Sequence, residues 1–244
     1  MRRSPFYLGA FVLVLTLSLC LLLVSIAGCS GSQEEGESKD VEDIWTKAEA
    51  ADKSITSMHM EIAIYYENTQ YGSGQIQSMI INMNGEDIHE QDLLLGQVYA
   101  EYIRVDGKQY SKDMMSEEWA EVPASGVDNA ATEYSSRFLE LPSLADSQEY
   151  IATEVIDDRE AEHYRFTLSP LRVVNMFVSQ VSSDFSESTG AVVDVWIDKQ
   201  EHYLLKYELV VYNAKITEEI GYGDIKFVVN IRNINEPVEI AAPL

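Results

Sequence analysis

The stretch Ser57-Met58-His59-Met60-Glu61-Ile62-Ala63-Ile64-Tyr65-Tyr66 decides the fold. Met58, Met60, Ile62, Ile64 and Tyr66 alternate with His59, Glu61, Ala63 and Tyr65, the period of two that gives a strand one strongly apolar face. Just upstream the period is helical. Val41, Ile44, Trp45, Ala48, Ala51 and Ile55 recur at that spacing behind Asp40, a residue suited to cap a helix N-terminus. An amphipathic helix therefore leads into the strand, with its apolar stripe turned toward a sheet.

Downstream, Tyr71-Gly72-Ser73-Gly74 reads as a turn and Gln75 to Met83 as the returning strand, with Gln77, Met79, Ile81 and Met83 on one side and the hairpin signal Asn84-Gly85 behind it. Gln97 to Val105, the turn Asp106-Gly107, Lys108 to Asp113 and a short segment from Trp119 to Pro123 continue an antiparallel meander. A helix is predicted from Asn129 to Leu139, ended by Leu141-Pro142. Tyr150 to Ile156 and Glu160 to Leu168 form a hairpin across Asp157-Asp158. Ser169 then caps a second helix, with Pro170 at its first position and Leu171, Val174, Phe177, Val178 and Val181 on one face. Ala191 to Asp198, Tyr203 to Tyr212 and Asp224 to Ile234 return to strands, and there is no internal repeat. The pattern predicts an α+β domain of about ten antiparallel strands with helices against one face of the sheet.

The N-terminal residues have a different logic. Arg2 and Arg3 precede an uncharged apolar run from Phe6 to Val24, the layout of a secretory signal peptide. Leu23-Val24-Ser25-Ile26-Ala27-Gly28-Cys29 then places small residues before a cysteine, which is a bacterial lipobox. Residues 1–28 are expected to be removed between Gly28 and Cys29, and the Cys29 thiolate to accept a diacylglyceryl group. One acyl chain binds a membrane marginally, at roughly 0.8 kcal/mol per buried methylene, and two or more, palmitate among them, anchor stably. The run is also long enough to stay as an uncleaved span, but a span has no use for Ala-Gly-Cys at its end. Ser30 to Lys39 is small, polar and acidic, so residues 29–39 read as a lipidated cysteine with a flexible tether, and residues 40–244 as one β-rich extracytoplasmic domain.

The chain carries a net charge of −24, and Arg2 and Arg3 are the only charged residues before Cys29, so the part beyond is more negative still. Such a surface is repelled by phosphate backbones and anionic headgroups, which excludes nucleic acid as a partner and leaves membrane attachment to the lipid. Of the two cysteines, Cys20 lies in the leader and Cys29 is consumed by acylation, so no disulfide or thiol nucleophile is expected.

Several segments together resemble the LolA/LolB-like lipoprotein fold and, within it, the actinobacterial LppX and LprG type of lipid-binding lipoprotein. They are Ser54-Ile55-Thr56-Ser57-Met58-His59, Tyr102 to Tyr110 with Trp119 to Pro123, Val195-Trp196-Ile197-Asp198, and the closing Asn235 to Pro243. The likeness covers nearly all of the chain after the lipobox. It implies a curved, incompletely closed antiparallel β half-barrel with helices packed on the concave face and an apolar cavity between them. Family members hold acyl chains there and carry lipids or lipoproteins between membrane and envelope. The residues expected to line the cavity are Met58, Met60, Ile62, Ile64, Ile81, Met83, Val174, Phe177 and Val178, with Met79 and Met176 of the same character. Methionine is flexible enough to accept varied chains, although the same side chains also suit an ordinary filled core.

Catalytic motifs are absent: there is no Gly-x-Ser-x-Gly elbow, no Gly-rich phosphate loop and no His-Glu-x-x-His. His59 and Glu61 share a strand face but supply only two metal ligands, and His89, His163 and His202 have no ligand spacing, so all four histidines are expected on polar surfaces and no metal or cofactor is expected. Two functions remain. One is a non-enzymatic, membrane-anchored extracytoplasmic lipoprotein that binds the acyl chains of a lipid and transfers it across the envelope. The other is an envelope-sensor module on the same fold that binds a partner protein and carries no lipid.

Overall fold

A computed structural model of the chain describes residues 41–113, 118–123, 138–172 and 188–244. The expectations for the leader, Cys29, the tether and the Asp40 cap lie outside the described residues. So do those for the helix from Asn129, apart from its last two residues, and for Val174, Phe177 and Val178.

Among the described residues, eleven antiparallel strands make one sheet. They are β1 (Ser57–Thr69), β2 (Gly72–Asn84), β3 (Asp87–Leu94), β4 (Gln97–Val105), β5 (Lys108–Asp113), β6 (Ala120–Val122), β7 (Ser147–Ile156), β8 (Arg159–Leu168), β9 (Gly190–Asp198), β10 (Leu204–Thr217) and β11 (Gly221–Arg232). Their order across the sheet is β6-β5-β4-β3-β2-β1-β11-β10-β9-β8-β7. The chain therefore starts in the middle, meanders to one edge, and resumes at the other edge to meander back until its last strand pairs with its first. The edge strands β6 and β7 do not pair with each other, which leaves the sheet a curved half-barrel and not a closed one.

Two helices are described, α1 (Val41–Asp52) and the four-residue α2 (Leu141–Leu144). α1 lays Ile44, Trp45 and Ala48 on the inner face of the sheet, as its spacing predicts. The Trp45 ring meets Phe166 edge-on at 4.9 Å between centroids and Tyr164 at 6.3 Å. Its indole N–H donates to Leu139 O at 2.8 Å. Phe138 stacks on Tyr207 from the same side. Burial is continuous beneath them: Met60, Tyr164, Phe166, Val193, Val195 and Val211 have essentially no exposed surface.

Three details differ from the sequence reading. β3 was not expected, so the strands number eleven where about ten were predicted. The first hairpin turns at Gln70-Tyr71, and the glycines from Gly72 to Gly74 already belong to β2. Pro142 was expected to stop a helix and instead sits in the first turn of α2, where its missing N–H has no helical partner to lose.

A smaller apolar cluster lies on the outer face, where Ile103, Val105 and Tyr110 pack with Trp119 and Ile240. The C-terminal stretch reaches this place by a hydrogen bond from Asn84 Nδ2 to Val238 O at 2.9 Å. Elsewhere on that face ion pairs stand among apolar side chains such as Ile80, Val210, Val228 and Trp196. His163 lies between Glu154 Oε1 and Asp194 Oδ1, each at 2.9 Å, and Trp196 stacks on its ring.

Because Trp45 both fills the inner face and ties α1 to Leu139, its two roles separate by mutation. Trp45→Ala is expected to cost about 3–5 kcal/mol, the range for emptying a large aromatic site. Trp45→Phe keeps most of the packing and is expected to cost about 1 kcal/mol for the lost hydrogen bond. Urea unfolding followed by circular dichroism measures both.

Candidate functional site: the inner face of the sheet

In an antiparallel sheet, residues directly opposite each other share a face, so the register assigns the inner wall. Across β11, β1 and β2 it reads Ile231-Met60-Ile81 and Val229-Ile62-Met79, with Met58 opposite Met83 in the next row. Of the cavity residues expected from sequence, Met58, Met60, Ile62, Ile81 and Met83 are all buried here, and Ile64 is half-buried against the same cluster. The structure brings these six together as one continuous wall. The wall extends through Phe227 and Leu209 to Val193 and Phe166, under α1.

Toward β3 and β4 the same face changes character. Met83 is opposite Ile88, but Ile81 is opposite Glu90 and Met79 opposite Asp92, and Glu90 is in turn opposite Tyr102. Gln77 Nε2 donates to the Tyr99 hydroxyl at 3.0 Å. Asp92 Oδ1 and Gln109 Oε1 are shielded from solvent without a hydrogen-bond partner among the described residues. An inner wall of methionine and isoleucine thus ends in a row of carboxyl, phenol and amide groups. Apolar tail and polar head could be met in that order by one amphiphile.

The electrostatics follow from this placement. Burial, helped by the neighbouring Asp92, pushes the Glu90 carboxyl up to about 7. Burial also raises Asp92, opposed by a hydrogen bond from Gln77. On the outer face the effect is reversed: the Trp196 indole N–H, and then the His163 ring, hold the Glu154 carboxyl below its usual range.

Sequence reasoning missed Glu90 and Asp92 because β3 itself was missed. Its residues, Asp87-Ile88-His89-Glu90-Gln91-Asp92-Leu93-Leu94, carry four charged or titratable side chains, and the following turn is Leu95-Gly96, not Asn-Gly or Asp-Gly. The available signal was the pairing of a short strand back from Asn84-Gly85. One histidine expectation needs correction. His163 lies on the polar face but is only 6% exposed, because Trp196 covers it and two carboxylates clamp it. His59 and His89 stay part-buried beside Asn82, Glu61 and Glu101. Among the described residues no group of three or more His, Cys, Asp or Glu side chains is arranged to hold a metal ion.

An open cleft of about 390 Å³ lies at the border of the wall, lined by Trp45, Thr46, Glu49, Leu139, Pro142, Ser143 and Gln148. Trp45 is part of its lining, and none of Met58, Met60, Ile62, Ile64, Ile81 and Met83 is.

The Glu90 shift carries a sign. Its folded value lies above its unfolded one, so the stabilisation it confers is complete below about pH 4.5 and is lost as pH rises through about 7. Glu90→Gln is therefore expected to raise stability at pH 8 by ~1–2 kcal/mol, discounted for partial exposure, and to leave it nearly unchanged at pH 4.5. Urea titrations at the two pH values check this.

Comparison with known proteins gives the fold its place. No protein-family model matches the chain, and no match was found among curated proteins. Among solved structures the chain is similar to the lipoprotein LppX of Mycobacterium tuberculosis, at 16% identity and a TM-score of 0.52, over 82% of this chain and 100% of that one. It is likewise similar to LprF of Mycobacterium bovis, at 12% identity and a TM-score of 0.52, over 83% of this chain and 96% of that one. Identity this low speaks to architecture alone, and the architecture is the expected LolA-like half-barrel of the LppX type.

Proposed function

We propose that this chain is a membrane-anchored extracytoplasmic lipoprotein that binds acyl chains of a lipid against the inner face of its sheet and carries that lipid within the cell envelope. The observation that carries the reading is the wall itself, in which Met58, Met60, Ile62, Ile81 and Met83 stand beside the polar row of Glu90, Asp92 and Tyr102. An ordinary core has no need of a half-buried carboxyl next to its methionines, and burying one is costly. A lipid has a use for both. Val174, Phe177 and Val178 would face the wall from the helix that Ser169 and Pro170 begin, and Cys29, freed from Gly28 by cleavage, would hold the domain at a membrane through its acyl chains. The similarity to a chain described as a lipoprotein agrees with this.

Binding in this reading is burial of hydrocarbon, at roughly 25 cal/mol per Å² of apolar surface removed from water, with no covalent step. No residue acts as nucleophile or base.

Native mass spectrometry of the protein purified without detergent from a membrane-containing lysate, followed by lipid extraction, tests it. A co-purifying acylated lipid is expected, reduced by about tenfold in Ile64→Gln, a loss of roughly 1.4 kcal/mol. Ile64 is half-buried, so this variant is expected to fold. A lipid-free mass with no uptake of added phospholipid or fatty acid would overturn the carrier and favour a module that binds another envelope protein.

A further inference from the structure

The sheet has two edges, and they are built differently. β6, at one edge, has three residues, which is too short to template another strand. β7, at the other, has ten, from Ser147 to Ile156, and among the described residues it pairs only with β8. Natural edges of that length are protected by Lys, by Pro or by a covering element. β7 contains no Lys, Arg or Pro, and its one irregularity is a bulge at Ile151. Ser147, Gln148, Glu149, Ile151, Thr153 and Val155 are exposed, Val155 at 67%. An edge of this kind presents a row of backbone N–H and C=O groups to a further strand.

The two faces of β7 differ in chemistry. Its register with β8 puts Glu149, Ala152 and Glu154 on the outer face, and Gln148, Tyr150, Thr153 and Val155 on the inner one. The outer face of the strand is acidic. Glu149 is exposed, the Glu154 side chain is 41% exposed, and Arg165, opposite Glu149, is already held by Asp194 through two hydrogen bonds. On the inner side the strand begins at the open cleft, where Gln148 shares the lining with Trp45, Leu139 and Pro142. A cleft partly walled by apolar groups thus lies beside one face of the edge, and negative charge lies along the other.

We infer that β7 accepts an extended segment of a partner protein as a further strand of the sheet, one that carries Lys or Arg on the outer face and apolar side chains on the inner. The inference goes beyond lipid binding and does not depend on what the inner wall holds. Main-chain hydrogen bonds supply the affinity of such a pairing, and alternate side chains supply its specificity. Basic residues of the segment stand beside Glu149 and Glu154, and an apolar one enters the cleft next to Gln148. Charge selects this occupant over a second copy of the chain. Pairing β7 with itself about a two-fold axis at its middle would set Glu149 of each copy against Glu154 of the other, and like charges directly opposite are destabilising. The net charge of −24 opposes a second copy and favours a basic partner at longer range as well.

The test uses the whole protein in phosphatidylcholine nanodiscs and a fluorescent peptide, as long as β7, that alternates lysine and valine. Fluorescence anisotropy is expected to show saturable binding that empty nanodiscs lack and that a peptide alternating glutamate and valine does not reproduce. Methylating the backbone nitrogens of every second peptide residue should abolish binding in one phase of the alternation and spare it in the other, because only alternate N–H groups face the neighbouring strand. Amide exchange followed by mass spectrometry is expected to slow in Ser147–Ile156 when the peptide is added. Glu149→Lys, a change at an exposed site that should leave the circular dichroism spectrum unaltered, is expected to weaken binding about fivefold, the scale of one exposed charge pair. Absence of binding overturns the inference. So does binding indifferent to both methylation patterns, which is a contact of charge alone, and so does protection that falls on β1 and β2 instead of β7. A dimer of the chain that forms without peptide and is broken by it, seen by ultracentrifugation, replaces the partner with a second copy. Co-purification of a lipid is measured separately, so the carrier reading stands or falls on its own.

Discussion

The pairing of the first strand with the last organises this molecule. Nine consecutive pairs, from His59 with Arg232 to Glu67 with Asp224, join β1 to β11 in the middle of the sheet. Beyond them, Asn235 N donates to Ser57 O, Asn235 Oδ1 accepts from Thr56 N, and Ser57 Oγ donates to Glu236 O. Without this seam the chain would be two separate meanders, each with a bare central edge. The pairs also set the faces: Met60, Ile62 and Ile64 meet Ile231, Val229 and Phe227 on the inside, while His59 and Glu61 meet Arg232 and Asn230 on the outside. A slip of one residue would turn the methionines to water and the charges to the core. Loop closure over such a separation makes this a slow-folding topology.

Given that seam, the two faces divide their tasks. The outer face is held by ion pairs that satisfy each other. Glu208 lies between Lys206 and Lys226, each at 2.7 Å, and Asp194 takes both His163 and Arg165. Lys206, Lys226 and Arg165 are engaged there, which keeps that part of the sheet face charged and solvated. The inner face is largely apolar from β8 to β2, apart from the buried Glu162, which accepts from the Tyr164 hydroxyl, and Gln77, and it gathers carboxyl groups at Glu90 and Asp92. The turns where β1 starts are polar, and those where it finishes expose Tyr71 and Leu95.

Legibility in the sequence followed the strength of the local signal. The period of two in Met58 to Tyr66 was unambiguous because every second residue is large and apolar, and the same held for Met79, Ile81 and Met83. Asp106-Gly107 and Asp157-Asp158 were readable as turns because Asp accepts positive φ, as it does in both places. β3 was not readable, since its inward positions hold Glu90 and Asp92 and its turn holds Leu95. Glu90 and Asp92 fall where a function is proposed, and that is where local rules are expected to fail. His163 was misplaced because burial under Trp196 depends on β9 lying beside β8, a fact of topology and not of spacing.

The central claim is that the inner wall receives hydrocarbon, and photolabelling measures it most directly. A fatty acid bearing a diazirine near its methyl end, irradiated with the folded protein and mapped by peptide mass spectrometry, should modify peptides from β1 and β2, at Met58 to Ile64 and Gln77 to Met83. Excess unlabelled fatty acid should suppress the labelling. Modification confined to the outer face, or labelling that excess fatty acid does not compete away, would contradict the account.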